Sequence, residues 1–190
     1  MITSLDQLDL NKKYTYSDYL RWQFQERVEL IKGKIFKMAP APNRKHQEVS
    51  RILLHHIGNF LWEKKCKIYH PPFDVRLIKN GNDTVVQPDI CVVCDLDKLD
   101  KQGCVGAPDL IIEILSPGNS RKELKEKFRL YEENGVQEYW IINPLEEMLI
   151  IYTLNEEDKY IGSSPYLGED VAQSSVLPGF SIIIDQIFDL

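Results

Sequence analysis

The sequence predicts an α/β (α+β) chain, a mixed β-sheet core flanked by helices and layered as a sandwich, and three observations carry that expectation. Helical and strand periodicities alternate along the chain, the order that places helices on the faces of a sheet. Two runs, VVQPDICVV and LIIEIL, are apolar on both strand faces, as suits central strands covered on both sides. The stretch 45–65 repeats apolar residues at Val49, Ile52, Leu53, Ile57, Phe60 and Leu61, the spacing of a helix with one buried face.

Taken in order, residues 17–27 read as a first helix. VELIKGKIFKM, residues 28–38, reads as two short strands hinged at Lys32-Gly33, where glycine supplies the positive φ of a tight turn. The loop APAPN leads into the long helix, and Pro71-Pro72 ends anything helical. FDVRLI alternates as a strand should, residues 79–83 form a turn, and 84–93 is one apolar strand broken only by Gln87 and Asp89. Residues 95–107 are a polar connection, 110–115 a buried strand, and Ser116-Pro117-Gly118 its end. A helix over Arg121–Asn134, strands at 138–142 and 148–152 joined at Asn143-Pro144, and weaker strands at 171–176 and 181–184 complete the chain.

Composition sets the frame. With 190 residues, 43% hydrophobic and 27% charged, the chain suits a single domain over 1–190 with a sizeable core. MITSLDQLDLNKK has acids and no apolar signal region, and no stretch approaches the ~18 apolar residues of a membrane span, so a cytoplasmic protein without a membrane partner is expected. Cys66, Cys91, Cys94 and Cys104 then read as reduced thiols. Cys91 and Cys94 lie three apart in a strand and point to opposite faces, which argues against a zinc site. The net charge of −6 disfavours an indiscriminate polyanion binder. Local basic clusters nevertheless stand at Lys32, Lys34 and Lys37, at Arg44 and Lys45, and along Arg121–Asn134; each also fits a solvated face.

Misplaced charges carry the chemistry. At about 100° per residue, Leu124, Phe128, Leu130 and Tyr131 share an apolar arc, and Glu123 and Lys127 sit inside it. An unpaired buried ammonium costs several kcal/mol or more, so Lys127 needs a carboxylate partner. Asp89 and Glu113 are each a lone acid in a doubly covered strand, stabilised by a cation, a metal or hydrogen bonds, or else protonated. On neighbouring strands they suit a hard divalent cation, and with a lysine they form the parts for metal-assisted attack of water on a phosphodiester.

Pro88-Asp89 followed by Glu113 resembles the PD-(D/E)XK nuclease superfamily, and the fuller pattern resembles its Uma family of bacterial endonucleases. The resemblance runs from VELIKGKIFKMAPAP with His46-Gln47, through VVQPDICVV and LIIEILSPGNS, to KFRLYEENGVQEYWIINP. It implies a restriction-endonuclease-like core and a DNA endonuclease that uses Mg²⁺ or Mn²⁺, with Asp89 and Glu113 as metal ligands and Glu29 as an accessory acid. The superfamily's lysine two residues after the acid is Leu115 here; in the Uma pattern it has moved to the next helix, as Lys127, four residues before Tyr131. Glu123 stands where the family has an aspartate. His46, Gln87 and Ser116 join Glu123 and Tyr131 as expected substrate-side residues. For His46 a capping or exposed role, for Ser116 a cap and for Glu29 an exposed hairpin edge are the plainer readings. His55 and His56 are adjacent and cannot form a zinc-gripping i, i+4 pair. A homodimer follows by analogy with nucleases that cut both strands. A noncatalytic nucleic-acid- or protein-binding module keeping the same fold is the alternative.

Overall fold

Lys32 and Gly33 both adopt positive φ, 52° and 80°, so β1 (Val28–Ile31) and β2 (Lys34–Lys37) close into the expected two-residue hairpin. A Cβ on Gly33 would stand 3.1 Å from that of Lys13, a second reason for glycine there. The computed structural model describes residues 2–38, 43–79, 83–116 and 121–189, with the side chains of 121–123 outside that description. Most of the APAPN loop, three residues of the 79–83 turn and Pro117-Gly118 therefore lie outside it.

Among the described residues two larger sheets form. The first, in the order β2-β1-β5-β4-β7, joins the hairpin to β4 (Asp74–Arg76), β5 (Val85–Val86) and β7 (Gly103–Val105). The second is mixed. It contains β3 (Lys67–Tyr69), β6 (Ile90–Val93), β8 (Leu110–Ile114), β9 (Glu138–Asn143), β10 (Met148–Leu154) and β11 (Tyr160–Gly162) in the order β11-β10-β9-β8-β6-β3, and β12 (Tyr166–Leu167) pairs with β10. β8 runs antiparallel to β6 and parallel to β9, and all five of its residues are buried. β13 (Val171–Gln173) and β14 (Ser181–Ile183) form a separate ribbon.

The second sheet separates two apolar layers. On one face α2 (Arg44–Leu61) packs Val49, Leu53, Ile57 and Leu61 against Ile90, Val92, Leu110, Ile112 and Trp140, together with the ribbon and α4 (Ile184–Phe188). On the other, Leu130 and Tyr131 of α3 (Arg121–Asn134) meet Cys91, Ile111 and Tyr139, beside Val75, Val86 and Cys104 of the first sheet. The sandwich expected from the sequence is present, with a second sheet in place of a full helical layer.

Several expectations change. The helix over 17–27 reduces to α1 (Tyr16–Tyr19), because Tyr14, Tyr19, Trp22 and Phe24 pack on one another at ring distances of 5.3–5.8 Å instead of along a helix face. The run 84–93 is two strands of different sheets: Pro88 lacks the N–H a ladder needs, and the chain crosses between sheets at Gln87–Asp89. Gln87 therefore does not share a strand face with Asp89. The polar connection contains β7. Cys66 and Cys94 are joined in a disulfide, correcting the expectation of reduced thiols: Lys67 pairs with Val93, which brings the two cysteines opposite each other, and only Cys91 and Cys104 remain free. No helix among the described residues is long and apolar enough to cross a membrane.

Candidate active site

Strand alternation places Glu113 on the α3 side of the second sheet, since Ile111, two residues earlier, belongs to that apolar layer. There it meets the misplaced lysine. Lys127 Nζ donates to Glu113 Oε1 at 2.9 Å and lies 3.2 Å from Glu29 Oε1. The Tyr131 hydroxyl, one helical turn beyond Lys127, donates to the same Glu113 oxygen at 2.6 Å. Glu29, Glu113 and Lys127 are all buried, at 4%, 8% and 7% exposure, so Glu29 is no solvent-facing hairpin edge.

Asp89 stands at the more open side of this group, its side chain 23% exposed. Its Oδ2 accepts the Ile114 N–H at 2.8 Å and faces His46 Nε2 at 3.2 Å. His46 is buried at the start of α2, neither exposed nor the cap: Asn43 caps the helix by accepting the His46 backbone N–H. The His46 Nδ1 has no hydrogen-bond partner among the described residues.

The electrostatics follow from two acids sharing one lysine, with the Asp89 carboxylate acting on Glu113 as a third charge. Burial raises the Glu113 carboxyl, Lys127 opposes that shift, and Asp89 and Glu29 add to it, leaving the group pushed up to about 7. Burial alone would depress the Lys127 ammonium, but Glu113 and then Glu29 outweigh it and hold the group well above the ordinary lysine value. Burial and the charge of Glu113 likewise hold the Tyr131 phenol well above its usual range, so it stays a donor.

Gln87 supports this cluster from outside. Its backbone N–H donates to Glu29 Oε1 at 3.0 Å, while its side chain accepts from Arg27 at 2.7 Å and donates to Asp74 at 2.8 Å. Tyr19 adds a hydroxyl donated to Asp74 at 3.1 Å. Nothing local in the sequence marked Arg27, Asp74 or Tyr19, since Gln87 reaches them across 60, 13 and 68 positions. Ser116 lines a separate depression with Asn43, Lys45 and Leu124 near the C-terminal end of β8. The Glu123 side chain lies outside the described residues.

Among the described residues no three His, Cys, Asp or Glu side chains form a ready metal cage. The donor set does fit a hard cation that keeps most of its waters, because carboxylates outnumber the lysine three to one and Asp89 and Glu113 would present oxygen ligands to it.

A mixed sheet backed by helices and a second sheet, with acids from both sheets meeting a helix-borne lysine, is a nuclease-like α+β fold. A crystal structure of a "putative nuclease belonging to DUF820" from Anabaena variabilis shares that fold, with a TM-score of 0.71 at 20% identity over 92% of this chain and 97% of that one. The sequence matches the Uma2 family, described as "putative restriction endonuclease", over residues 16–185, and the chain belongs to that family. An uncharacterized protein of Synechocystis sp. is 25% identical over 179 residues, covering 93% of this chain and 92% of its own.

Proposed function

We propose that residues 1–190 work as one nuclease domain, a divalent-metal-dependent endonuclease that hydrolyses phosphodiester bonds in DNA. The observation that carries this reading is the buried Lys127 ammonium held between Glu113 and Glu29 beside the more open Asp89. A structural ion pair needs one acid per cation, and the surplus carboxylate charge suits a second, divalent cation.

In this reading Asp89 and Glu113 hold Mg²⁺ or Mn²⁺. When bound, the metal lowers the pKa of a water and offsets charge developing on the phosphate. Lys127 stays an ammonium, so it orients the attacking water and stabilises negative charge by donating hydrogen bonds rather than acting as a base. Glu29 and Tyr131 fix the positions of Lys127 and Glu113, and His46 orients Asp89. Glu113 must be ionised to bind a cation, which ties activity to its raised pKa. The protein acts as a homodimer, so that two sites reach the two strands; a monomer by light scattering at micromolar concentration removes that element.

The test is nicking of supercoiled plasmid with Mg²⁺ or Mn²⁺ by wild type beside folded Asp89→Ala, Glu113→Ala and Lys127→Ala proteins. Cleavage by wild type alone is expected. Equal activity in wild type and Glu113→Ala sinks the assignment.

A further inference from the structure

The hairpin face that carries Glu29 continues past the site. Glu29 pairs with Phe36 and Ile31 with Lys34 across the ladder. Directly paired residues, and residues two apart on one strand, share a face, so these four side chains form one surface. Facing it, α3 contributes Leu130 and Arg129, within one turn of Lys127. Between the two walls lies a cleft of about 380 Å³, so the elements that build the cleft are those that hold Lys127 and Glu29.

The cleft has two chemical zones. Ile31, Phe36 and Leu130 give it an apolar floor, with one aromatic face among them, while Lys13, Lys34 and Arg129 stand at its rim. None of those three cations enters an ion pair among the described residues. Lys32 also lines the cleft and takes up Glu133 at 2.7 Å, and Glu126 is the second acid of the lining. Four cations against two acids make a local balance of +2 in a chain of net charge −6.

A duplex presents phosphates and sugars outward and keeps its bases stacked inside, so it has no use for an apolar aromatic floor; an unpaired nucleotide uses both zones. We propose that this cleft seats an unpaired nucleotide of the DNA strand next to the scissile phosphate, with its phosphate against Lys34 and Arg129 and its base and sugar on Ile31, Phe36 and Leu130. The inference rests on the nuclease reading and deepens it: the substrate is DNA with a single-stranded or frayed flank.

The test is fluorescence anisotropy in EDTA, using a short fluorescein-labelled oligothymidylate and a labelled duplex of equal length. Full-length wild type is compared with Lys34→Glu/Arg129→Glu, with Phe36→Ala, and with the exposed control Lys65→Glu, each checked for folding by circular dichroism. The double variant is expected to bind the single strand at least about tenfold more weakly. Its log affinity against log salt should be flatter by about 1.4, two phosphate contacts at ~0.7 each. Phe36→Ala should lose at least about fivefold on the single strand and nothing on the duplex, with Lys65→Glu unchanged throughout. Failure of wild type to bind, or equal affinity in the double variant, overturns the cleft. Equal loss by Phe36→Ala on both probes overturns the unpaired nucleotide. A wild type that binds through the cleft and never cuts plasmid breaks the nuclease reading alone; one that cuts while the double variant binds normally breaks the cleft alone.

Discussion

Two buried glutamates on adjacent strands show what separates a site from a core. Glu113 lies near the end of β8 on the α3 side; Glu138 opens β9 on the α2 side, with Trp140 two residues along in that apolar layer. Glu138 is fully buried and answered by neutral donors: the Trp140 indole at 2.7 Å, the Ser175 N–H at 2.6 Å and the Ser175 hydroxyl. It pins the segment before β14 to the sheet. Glu113 has two further acids and one lysine around it: burial raises its proton affinity most, Lys127 opposes that, and Asp89 and Glu29 add to it. Burial of a carboxylate does not by itself single out a site, and the crowding of Glu113 by like charges is what supports the proposed cation site.

The sharpest break of this comparison is catalytic. Lys127→Ala should cut plasmid nicking by about 10²–10³-fold, whereas Glu138→Ala should leave the rate per folded molecule within about twofold, as read by single-turnover cleavage normalised to the folded fraction. Stability should reverse the order. Glu138→Ala leaves an indole and two Ser175 donors unmet and should cost about 2–4 kcal/mol in urea unfolding, while Glu113→Gln should cost little or stabilise above neutral pH, because the folded environment already favours the uncharged carboxyl.

His46→Ala removes the partner of Asp89 and should lower cleavage by about 10–100-fold, the cost typical of losing a residue that orients a metal ligand. Manganese titration should show the loss in metal affinity, and an unchanged affinity with slowed cleavage overturns that role.

The smallest effect is graded with pH. The folded pKa of Glu113 is raised above its unfolded value, so the native state holds the extra proton between about 4.5 and about 7, and the associated stability is lost as pH rises through that window. Cation binding runs the other way, strengthening about tenfold per pH unit up to about 7 and levelling above it. Opposite slopes from urea titrations and metal titrations, both flattened by Glu113→Gln, are the expected signature.

Much of this was legible in the sequence. The helix over Arg121–Asn134 and the Lys32-Gly33 hairpin occur as read, because apolar spacing and a positive-φ turn are local properties. Lys127 inside an apolar arc, with Asp89 and Glu113 inside apolar runs, announced that these charges needed one another, and Lys127 and Glu113 do meet. What escaped was set by distant partners. Cys66 faces Cys94 only because Lys67 registers with Val93, and no argument from compartment sees strand register. Gln87 reads as part of one strand with Asp89; the sheet crossing at Pro88 turns it instead toward Arg27 and Asp74. Short strands such as β3, β7, β11 and β12 carry too few residues for a periodicity and exist through their neighbours.

Glu29 rides on the hairpin and Glu113 on β8, and the lysine that answers them rides on α3. Until that helix docks, the chain holds carboxylates without their ammonium and an ammonium without its carboxylates. In the proposed reading a nascent or locally unfolded copy lacks the assembled site, so cleavage waits on the docking of α3.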